Sequence, residues 1–223
     1  MEKSYKKVIE YIKSSIRSGE LHTGDKLIPE RELAQKLQIS RNSAREGLRI
    51  LDHLGVLEVQ HGAGNYVSGN FDPILADLLS FMYILKKIDL KQITEFRAGL
   101  ELGCLESSVN NASEKQRLDM LHFLDQLENS KTEEERVHWD KAIHCLLIEA
   151  SGNLCMLANY QALDKIMNEY IPTMRGRIIE GMHSEQFLSR AHRTLAEGFA
   201  EGDFKKAMNG LQLHFGYINQ FIN

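Results

Sequence analysis

The sequence predicts a mostly α-helical protein with two parts. These are an N-terminal unit of three helices and a small β-hairpin, and a C-terminal antiparallel bundle of about six or seven helices. Along most of the chain, apolar residues recur at the three- and four-residue spacing of amphipathic helices. Strand-like alternation is confined to 56–67, where glycines interrupt it. A Gly, Asn and Pro cluster in 68–73 then separates the two parts.

The division into two parts is also visible in the charges. Residues 1–70 contain 11 Lys and Arg against 9 Asp and Glu, a net charge of +2, whereas 71–223 contain 16 against 22, a net charge of −6. The N-terminal part, here called the head, is mildly basic and the rest of the chain is acidic, which indicates that the head is the part that binds a polyanion. We therefore predict a first domain over 1–69, a linker over 70–73 and a second domain over 74–223.

The overall composition is that of an ordinary soluble globular protein. Hydrophobic residues make up 43% of the chain and charged residues 26%. There is no apolar run of the roughly 20 residues that a membrane span needs, and the N-terminus lacks the apolar core of a signal peptide. Three cysteines, an odd number, lie in apolar helical patterns. They are typical of reduced core thiols in a cytoplasmic protein.

The head begins with two predicted helices. The first covers 4–18 and stops at Gly19. The second starts near Pro29, which is tolerated in a first helical turn, and runs to residue 37. A tight turn at Gln38 and Ile39 leads into a third helix, for which Ser40 is a suitable N-cap.

The third helix, Ser40–Leu54, has an apolar stripe behind and a basic face in front. Arg41 and Arg45 lie four residues apart with Asn42 beside them, and such side chains can reach bases and phosphates in a major groove. Taken alone, the helix is equally compatible with a surface helix whose arginines are solvated. Ser43 and Glu46 also form a competing capping box that would leave Arg41 in the turn.

The flanking segments favour DNA binding. Two short helices joined by a tight turn form a helix-turn-helix pattern. Alternating residues on both sides of the His61–Gly64 tip predict a hairpin, or wing, that can approach a phosphate backbone closely.

This order of motifs over about 5–68 resembles the winged helix-turn-helix of the GntR family of bacterial transcription regulators. The resemblance is carried by the Glu30-Arg31 pair, the Ser40-Arg41 start of the third helix and the glycine-rich wing. It implies DNA contacts from Arg31, Arg41, Arg45, His61 and Gly62, with Asn42 and Ser43 at base-reading positions. The family's usual Ala is replaced by Gly47, a costly residue within a helix.

The second part shows seven helical periods and no convincing strand. Pro172 is expected to kink the fifth of them. The periods cover 74–86, 90–110, 114–129, 132–151, 154–180, 184–201 and 203–222.

A candidate metal site lies in this bundle. Asp140 and His144 are four residues apart and share one helix face. Gly202-Asp203 is a helix stop followed by an N-cap residue. If the chain reverses there, His192 and His214 lie side by side on two antiparallel helices. Three imidazoles and a carboxylate can bind a divalent transition metal. The alternative is that each histidine is merely exposed or hydrogen-bonded.

The same residues resemble the FCD ligand-binding domain of the FadR subfamily of GntR regulators, over about 74–222. The matching order is Glu95, Arg97, Glu101, Asp140, His144, Ala150–Asn153, His192, Gly202-Asp203 and His214. The resemblance implies that the metal, often zinc or nickel, helps to hold a small carboxylate effector and that Arg97 lines the pocket. A salt bridge from Arg97 to Glu95 or Glu101 is an equal alternative, and we expect Arg175 and Arg177 to face solvent.

We therefore predict a homodimeric transcription factor rather than an enzyme. It binds a palindromic double-stranded operator, acts as a repressor and releases DNA when a small carboxylate binds. The predicted cofactor is Zn²⁺, with Ni²⁺ or Mn²⁺ as alternatives. Two other interpretations stay open, a metal-dependent hydrolase fused to a DNA-binding head and a regulator whose metal is purely structural.

Overall fold

The computed structural model describes residues 4–184 and 186–222. These residues form eleven helices and one two-stranded antiparallel sheet, which confirms the predicted fold class. The chain divides into two compact units, Met1–Leu75 and Ala76–Asn223. The ends of the predicted domains, at 1–3 and 223, and position 185 of the predicted helix over 184–201 lie outside the described residues.

The first unit has the predicted order of three helices and a hairpin. They are α1 (Lys6–Ser18), α2 (Glu30–Lys36), α3 (Arg41–His53), β1 (Leu57–Gln60) and β2 (Gly64–Val67). Gly19 ends α1 in the left-handed conformation, with φ of 77°, as the sequence predicts. The core of the unit consists of the buried side chains Val8, Ile12, Leu27, Leu33, Leu48, Leu51, Leu57 and Val67.

The hairpin is extended on its outer edge by the segment before α2. Within the hairpin, Leu57 pairs with Val67 and Gln60 with Gly64, which leaves a three-residue tip at 61–63. The Leu27 amide donates to the Asn65 carbonyl at 2.8 Å, and the Val67 amide donates to the Asp25 carbonyl at 2.8 Å. These backbone bonds anchor the wing to the rest of the unit.

Gly47 in α3 has a packing role that the sequence did not explain. A Cβ atom at this position would lie 2.6 Å from Val8 Cβ and 3.0 Å from the Tyr5 carbonyl oxygen, both on the α1 side. Real Cβ contacts are not that short. The glycine therefore allows α1 and α3 to approach more closely than an alanine would allow.

The second unit is all-helical in its described residues. The helices that follow the wing are α4 (Asp72–Lys86), α5 (Leu90–Asn111), α6 (Glu114–Asn129), α7 (Glu133–Ala150), α8 (Leu154–Gln161), α9 (Asp164–Met182), α10 (Gln186–Glu201) and α11 (Phe204–Phe221). The single helix predicted over 154–180 is two helices, α8 and α9, separated by Ala162 and Leu163. Both of these residues are completely buried, so packing of the chain into the core determines this break. Pro172 lies inside α9.

The hairpin of α10 and α11 is packed unusually closely. A Cβ on Gly198 would lie 2.3 Å from the Ala207 nitrogen, and one on Gly210 would lie 2.2 Å from the Leu195 nitrogen. Gly202 ends α10 with φ of 74°, and the Asp203 side chain caps α11 by accepting from the Lys206 amide. The predicted chain reversal is therefore confirmed, and the two glycines bring the helices together at backbone distance.

Two expectations from composition can be compared with the structure. Cys104 is buried, Cys145 is half-buried and Cys155 is exposed, so the expectation of three core thiols is wrong for Cys155. Among the described residues, no helix combines the length and apolar character that a membrane crossing requires.

Candidate metal centre and nucleic-acid interface

Three imidazoles from three helices meet inside the second unit. His144 comes from α7, His192 from α10 and His214 from α11, and all three side chains are buried. One nitrogen of each ring lies within 4.8 Å of the others, and the Nε2 atoms of His144 and His192 are 3.4 Å apart. Two nitrogens bound to one zinc at about 2.0–2.1 Å are separated by a similar distance, so the cluster could hold a metal ion.

Asp140 lies beside these rings, one helical turn before His144. Its Oδ2 is 3.2 Å from His192 Nε2, and its Oδ1 is 3.8 Å from His144 Nε2. Burial by itself would raise the pKa of Asp140. The hydrogen bond with His192 and the surrounding groups, including the cationic Arg97, together outweigh burial, and the pKa lies well below its usual value. Asp140 is thus an anion beside the imidazoles.

Two of the imidazoles, His144 and His214, lie in surroundings that favour the neutral form. Burial lowers the pKa of His144 well below its usual value, and the charge of Arg97 lowers it further. Burial also lowers the pKa of His214 strongly, with smaller effects from the neighbouring His144 and His192. Only a neutral imidazole offers a lone pair to a metal, so these environments favour the ligating form.

The structure also leaves polar atoms at this site without partners. In the part of the chain that the structure describes, neither ring nitrogen of His214 has a hydrogen-bond partner, and neither does Asp140 Oδ1. A buried polar atom without a partner is costly, and such atoms often mark an absent ion or ligand. The donor set therefore fits a divalent transition metal.

Charged residues of α5 surround the imidazoles and Asp140 and orient their side chains. The Arg97 Nε donates to Glu101 Oε1 at 2.7 Å, so the predicted alternative of a salt bridge to Glu101 is present. Arg97 Nη2 also lies 3.6 Å from Asp140 Oδ1. Glu101 Oε2 lies 2.5 Å from His144 Nδ1, which leaves His144 Nε2 facing the other imidazoles. Burial raises the pKa of Glu101 to about 7 against the opposing charge of Arg97.

Sequence reasoning missed several polar residues around these charged side chains. The sequence presents Glu101 as part of the FCD resemblance and as a possible partner for Arg97, but gives no sign that it orients His144. No pattern in the sequence singles out Tyr160, whose buried hydroxyl has no partner among the described residues. Tyr170 was also missed, and its hydroxyl bonds Thr94. One signal could have found the α5 residues, because Thr94, Arg97, Glu101 and Ser108 are polar yet lie on the apolar stripe of their helix.

A small cavity opens beside the imidazole cluster. Its volume is about 10 Å³, room for about one water molecule, and both Arg97 and His214 lie in its wall. Arg175 lines the same cavity and is only 9% exposed, so the expectation that it faces solvent is wrong. Arg177, by contrast, is exposed and donates to the Ile222 carbonyl oxygen. Arg175 turns inward because α9 packs the face that carries it against the core.

In the first unit, the predicted contact residues lie around α3 and the wing. The Ser40 hydroxyl accepts from the Ser43 amide at 3.1 Å, so Ser40 is the N-cap and the alternative start at Ser43 is wrong. Arg41 therefore belongs to the first helical turn. Arg41 and Asn42 are exposed, whereas Ser43 is half-buried and lies 3.0 Å, Oγ to Oγ, from Ser40.

Arg45, the second of the predicted contact arginines in α3, is paired with a residue of α2. Arg45 Nε and Nη2 each donate to the Glu30 carboxylate at 3.0 Å, and Arg45 remains mostly exposed. Arg31 is exposed on α2, and His61 is exposed at the wing tip next to Gly62, whose φ is 78°. Such a left-handed conformation favours glycine, which explains the residue at this position.

Comparisons with known proteins agree with this arrangement. The family model "Bacterial regulatory proteins, gntR family" matches residues 4–67, and the FCD domain model matches 92–217. The transcriptional regulator LutR of Bacillus subtilis (strain 168) is 28% identical over 219 residues, which cover 93% of this chain and 96% of LutR. The regulator YcbG of the same strain is 32% identical over 158 residues, with 71% of this chain and 66% of YcbG covered.

Two further relatives extend the comparison. A protein of Escherichia coli (strain K12), named provisionally as the L-lactate dehydrogenase operon regulatory protein, is 23% identical over 221 residues, covering 95% of this chain and 83% of its own length. The solved structure of a GntR protein from Streptococcus agalactiae has the same fold. Its TM-score is 0.69 at 20% identity, with 97% of this chain and 99% of that chain covered. The chain therefore belongs to the GntR family of bacterial transcription regulators, with the FCD domain of the FadR-type subfamily, and it is a DNA-binding regulator rather than an enzyme.

Proposed function

We propose that this regulator is a homodimeric repressor whose hold on a palindromic operator is released by a small carboxylate bound at a metal site. The observation that carries the proposal is the set of three buried imidazoles next to Arg97 in the wall of a small cavity. Burial of such a group of polar side chains in a hydrophobic core is costly in free energy unless a ligand bonds to them.

On the DNA side, α3 enters the major groove and the wing lies along the backbone. Asn42 and Ser43 read base edges from the first turn of α3. Contacts to phosphates and bases come from Arg31, Arg41, Arg45, His61 and Gly62. The exposure of the four charged or titratable side chains in this set supports the assignment, since each can reach a ligand without unfolding the unit.

On the effector side, Asp140, His144, His192 and His214 hold a divalent ion, for which we propose Zn²⁺ with Ni²⁺ or Mn²⁺ as the other candidates. When bound, the ion supplies a Lewis-acidic centre for a carboxylate oxygen. Arg97 binds the same carboxylate through Nη2, which has no hydrogen-bond partner among the described residues. Glu101 keeps both Arg97 and His144 oriented.

A carboxylate effector also agrees with the relatives. One of them takes its name from the operon of L-lactate dehydrogenase, an enzyme whose substrate is a small 2-hydroxy acid. Effector binding then changes the fraction of dimers whose two heads fit the operator. We propose that the bound form fits it less well, which gives repression in the absence of the acid.

Dimerisation is supported by helix α4, which exposes large apolar side chains. Leu78, Phe81 and Leu85 follow one another at helical spacing and are 62%, 66% and 79% exposed. Apolar patches of this kind mark interaction surfaces, and a palindromic site calls for a two-fold symmetric protein. We propose that this face contacts a second copy of the chain. Light scattering should show a monomer for Phe81→Glu if the proposal is right, and an intact dimer would contradict it.

The DNA assignment is tested by Arg45→Ala. We expect operator affinity to fall at least about tenfold, with the salt dependence of binding reduced by roughly 0.9 in log–log slope for each lost phosphate contact. Metal content should stay unchanged, since Arg45 lies in the other unit. Unaltered operator binding would remove Arg45 from the interface.

The effector assignment is tested by a thermal-shift screen of short-chain acids against protein with and without Zn²⁺, Ni²⁺ or Mn²⁺. We expect one or more acids to raise the melting temperature only when metal is present, because a ligand that binds the native state stabilises it. A purely structural metal predicts a different pattern. In that case chelation lowers the melting temperature and no carboxylate changes it.

A further inference from the structure

We propose that Lys26 is a further phosphate-contacting residue of the DNA interface, held at the wing by the chain segment that leads into α2. This inference rests on the proposed function in one respect, because it takes from it that the wing lies along the DNA backbone. Lys26 supplies the positive charge for that contact, so it strengthens binding to duplex DNA of any sequence.

The first observation is that the wing itself has no permanently cationic residue. Residues 57–67, which form β1, the tip and β2, contain neither Lys nor Arg, and Glu58 is their one carboxylate. With His61 counted as neutral, the formal charge of the hairpin is −1. The negatively charged phosphates of DNA repel such a hairpin. A wing that lies along the backbone therefore needs a cation from elsewhere in the chain.

Lys26 brings such a charge to the hairpin. Its segment runs antiparallel to the outer edge of β2, where Lys26 pairs with Tyr66. The Lys26 ammonium lies 5.9 Å from the centroid of the Tyr66 ring, within the range of a cation–π contact. The side chain also reaches Gly64, since a Cβ on that glycine would lie 3.2 Å from Lys26 Cε and 4.0 Å from Lys26 Nζ. The ammonium is thus held beside the first residue of β2, next to the wing tip.

The Lys26 ammonium is available to a ligand. Lys26 is exposed, and among the described residues no carboxylate forms an ion pair with it. The carboxylate of the adjacent Asp25 accepts a hydrogen bond from the His22 amide at 2.7 Å. Arg45, by contrast, has to leave Glu30 before its Nε and Nη2 can bind a phosphate. A phosphate at Lys26 breaks no existing ion pair, so this contact has no competitor within the head.

The chemistry of the residue sets the kind of contact. A lysine ammonium is a compact point charge without the planar fork of an arginine, and it suits a phosphate oxygen. Phosphates are the same in every DNA sequence, so a contact to them adds affinity but does not discriminate between bases. In the chain, Lys26 precedes the predicted contact Arg31 by five residues. Lys26 therefore adds a contact between the wing and the start of α2.

The test measures binding of the full chain to two fluorescein-labelled duplexes by fluorescence anisotropy over a range of salt concentrations. One duplex is selected by the wild-type chain from a random pool, and the other is an unselected duplex of the same length. We expect Lys26→Gln to weaken binding to both duplexes several-fold and to reduce the log–log salt slope by roughly 0.9 per head. The ratio of the two affinities should stay within about twofold of the wild-type ratio. Lys26→Arg, which keeps the charge, should keep the wild-type slope.

Lys13→Gln is the matched control. It removes an exposed lysine of the same unit, on α1 and outside the predicted DNA contacts, and should leave the salt slope unchanged. An unchanged slope for Lys26→Gln, or an equal change for Lys13→Gln, would overturn the role of Lys26. If Arg45→Ala also binds the selected duplex as the wild type does, the proposed DNA face is wrong as a whole. Normal binding by the Lys26 variant alone would remove only Lys26 from that face.

Discussion

Arg45 in the head and Arg97 in the bundle are held in similar ways but in opposite environments. Arg45 donates two hydrogen bonds of 3.0 Å to Glu30 on the neighbouring helix, and its side chain is 61% exposed. Arg97 donates at 2.7 Å to Glu101 on its own helix, and its side chain is 1% exposed. The two pairs therefore differ in solvation much more than in local geometry.

This difference shows how one chain keeps two kinds of binding residue. In the exposed pair, water screens the charges, so a phosphate can replace Glu30 at little cost. In the buried pair, removal of Arg97 leaves the carboxyl groups of Glu101 and Asp140 without their cationic partner in a medium of low polarity. Surface recognition residues can thus change without loss of the fold, whereas residues of the cavity contribute to function and stability together.

The largest expected effect is on stability, from Arg97→Met. This change leaves Glu101 buried beside a neutral side chain, and we expect the second unit to lose about 3–5 kcal/mol of unfolding free energy. Urea denaturation followed by the fluorescence of Trp139, the single tryptophan of the chain and a neighbour of Asp140, reports that unit. All samples should contain the same Zn²⁺ concentration, because bound metal also stabilises the native state.

Arg45→Met is the matched control for this measurement. It removes the same charge by the same substitution, but from an exposed position, and amide hydrogen exchange in the head should remain as slow as in the wild type. An equal loss of stability in the two variants would contradict the comparison, since burial would then make no difference.

An intermediate effect on stability is expected from Gly47→Ala, which tests the packing of α3 against α1. The new methyl would lie 2.6 Å from Val8 Cβ, and overpacking of this kind costs about 1–3 kcal/mol. Faster amide exchange in α1 and α3 would report the loss. Gly99→Ala on α5 is the control, because nothing lies within 4 Å of its added Cβ. There we expect a gain, as alanine is the better helix former. Stabilisation by both changes would show that Gly47 is not required for packing.

The smallest effect is expected from Glu30→Gln, which frees Arg45 and removes a negative charge near the DNA. Operator affinity should rise a few-fold at low salt, as measured by fluorescence anisotropy, and the melting temperature should not change. Glu32→Gln, on the same helix and exposed, is the control for the loss of charge alone. Weaker operator binding by Glu30→Gln would mean that the pair positions Arg45 for DNA rather than competing with it.

Much of the fold could be predicted because its signals are local. Helix periods, the Ser40 and Asp203 caps and the Gly19 and Gly202 stops are properties of a few neighbouring residues. The break between α8 and α9 has no such signal. It occurs at Ala162 and Leu163, which are ordinary helix formers, because burial of both residues outweighs the propensity to continue the helix.

The sequence by itself determined that a basic helix follows a second short helix, and that Asp140, His144, His192 and His214 have spacings that allow a common site. Local rules are enough for such statements, since they depend on helix geometry and on one chain reversal. Only the tertiary structure decided that Glu101 orients His144, that Arg175 faces the cavity and that Gly47 makes room for Val8. Those contacts join helices far apart in the chain, and their rotation is set by the packing of the whole core.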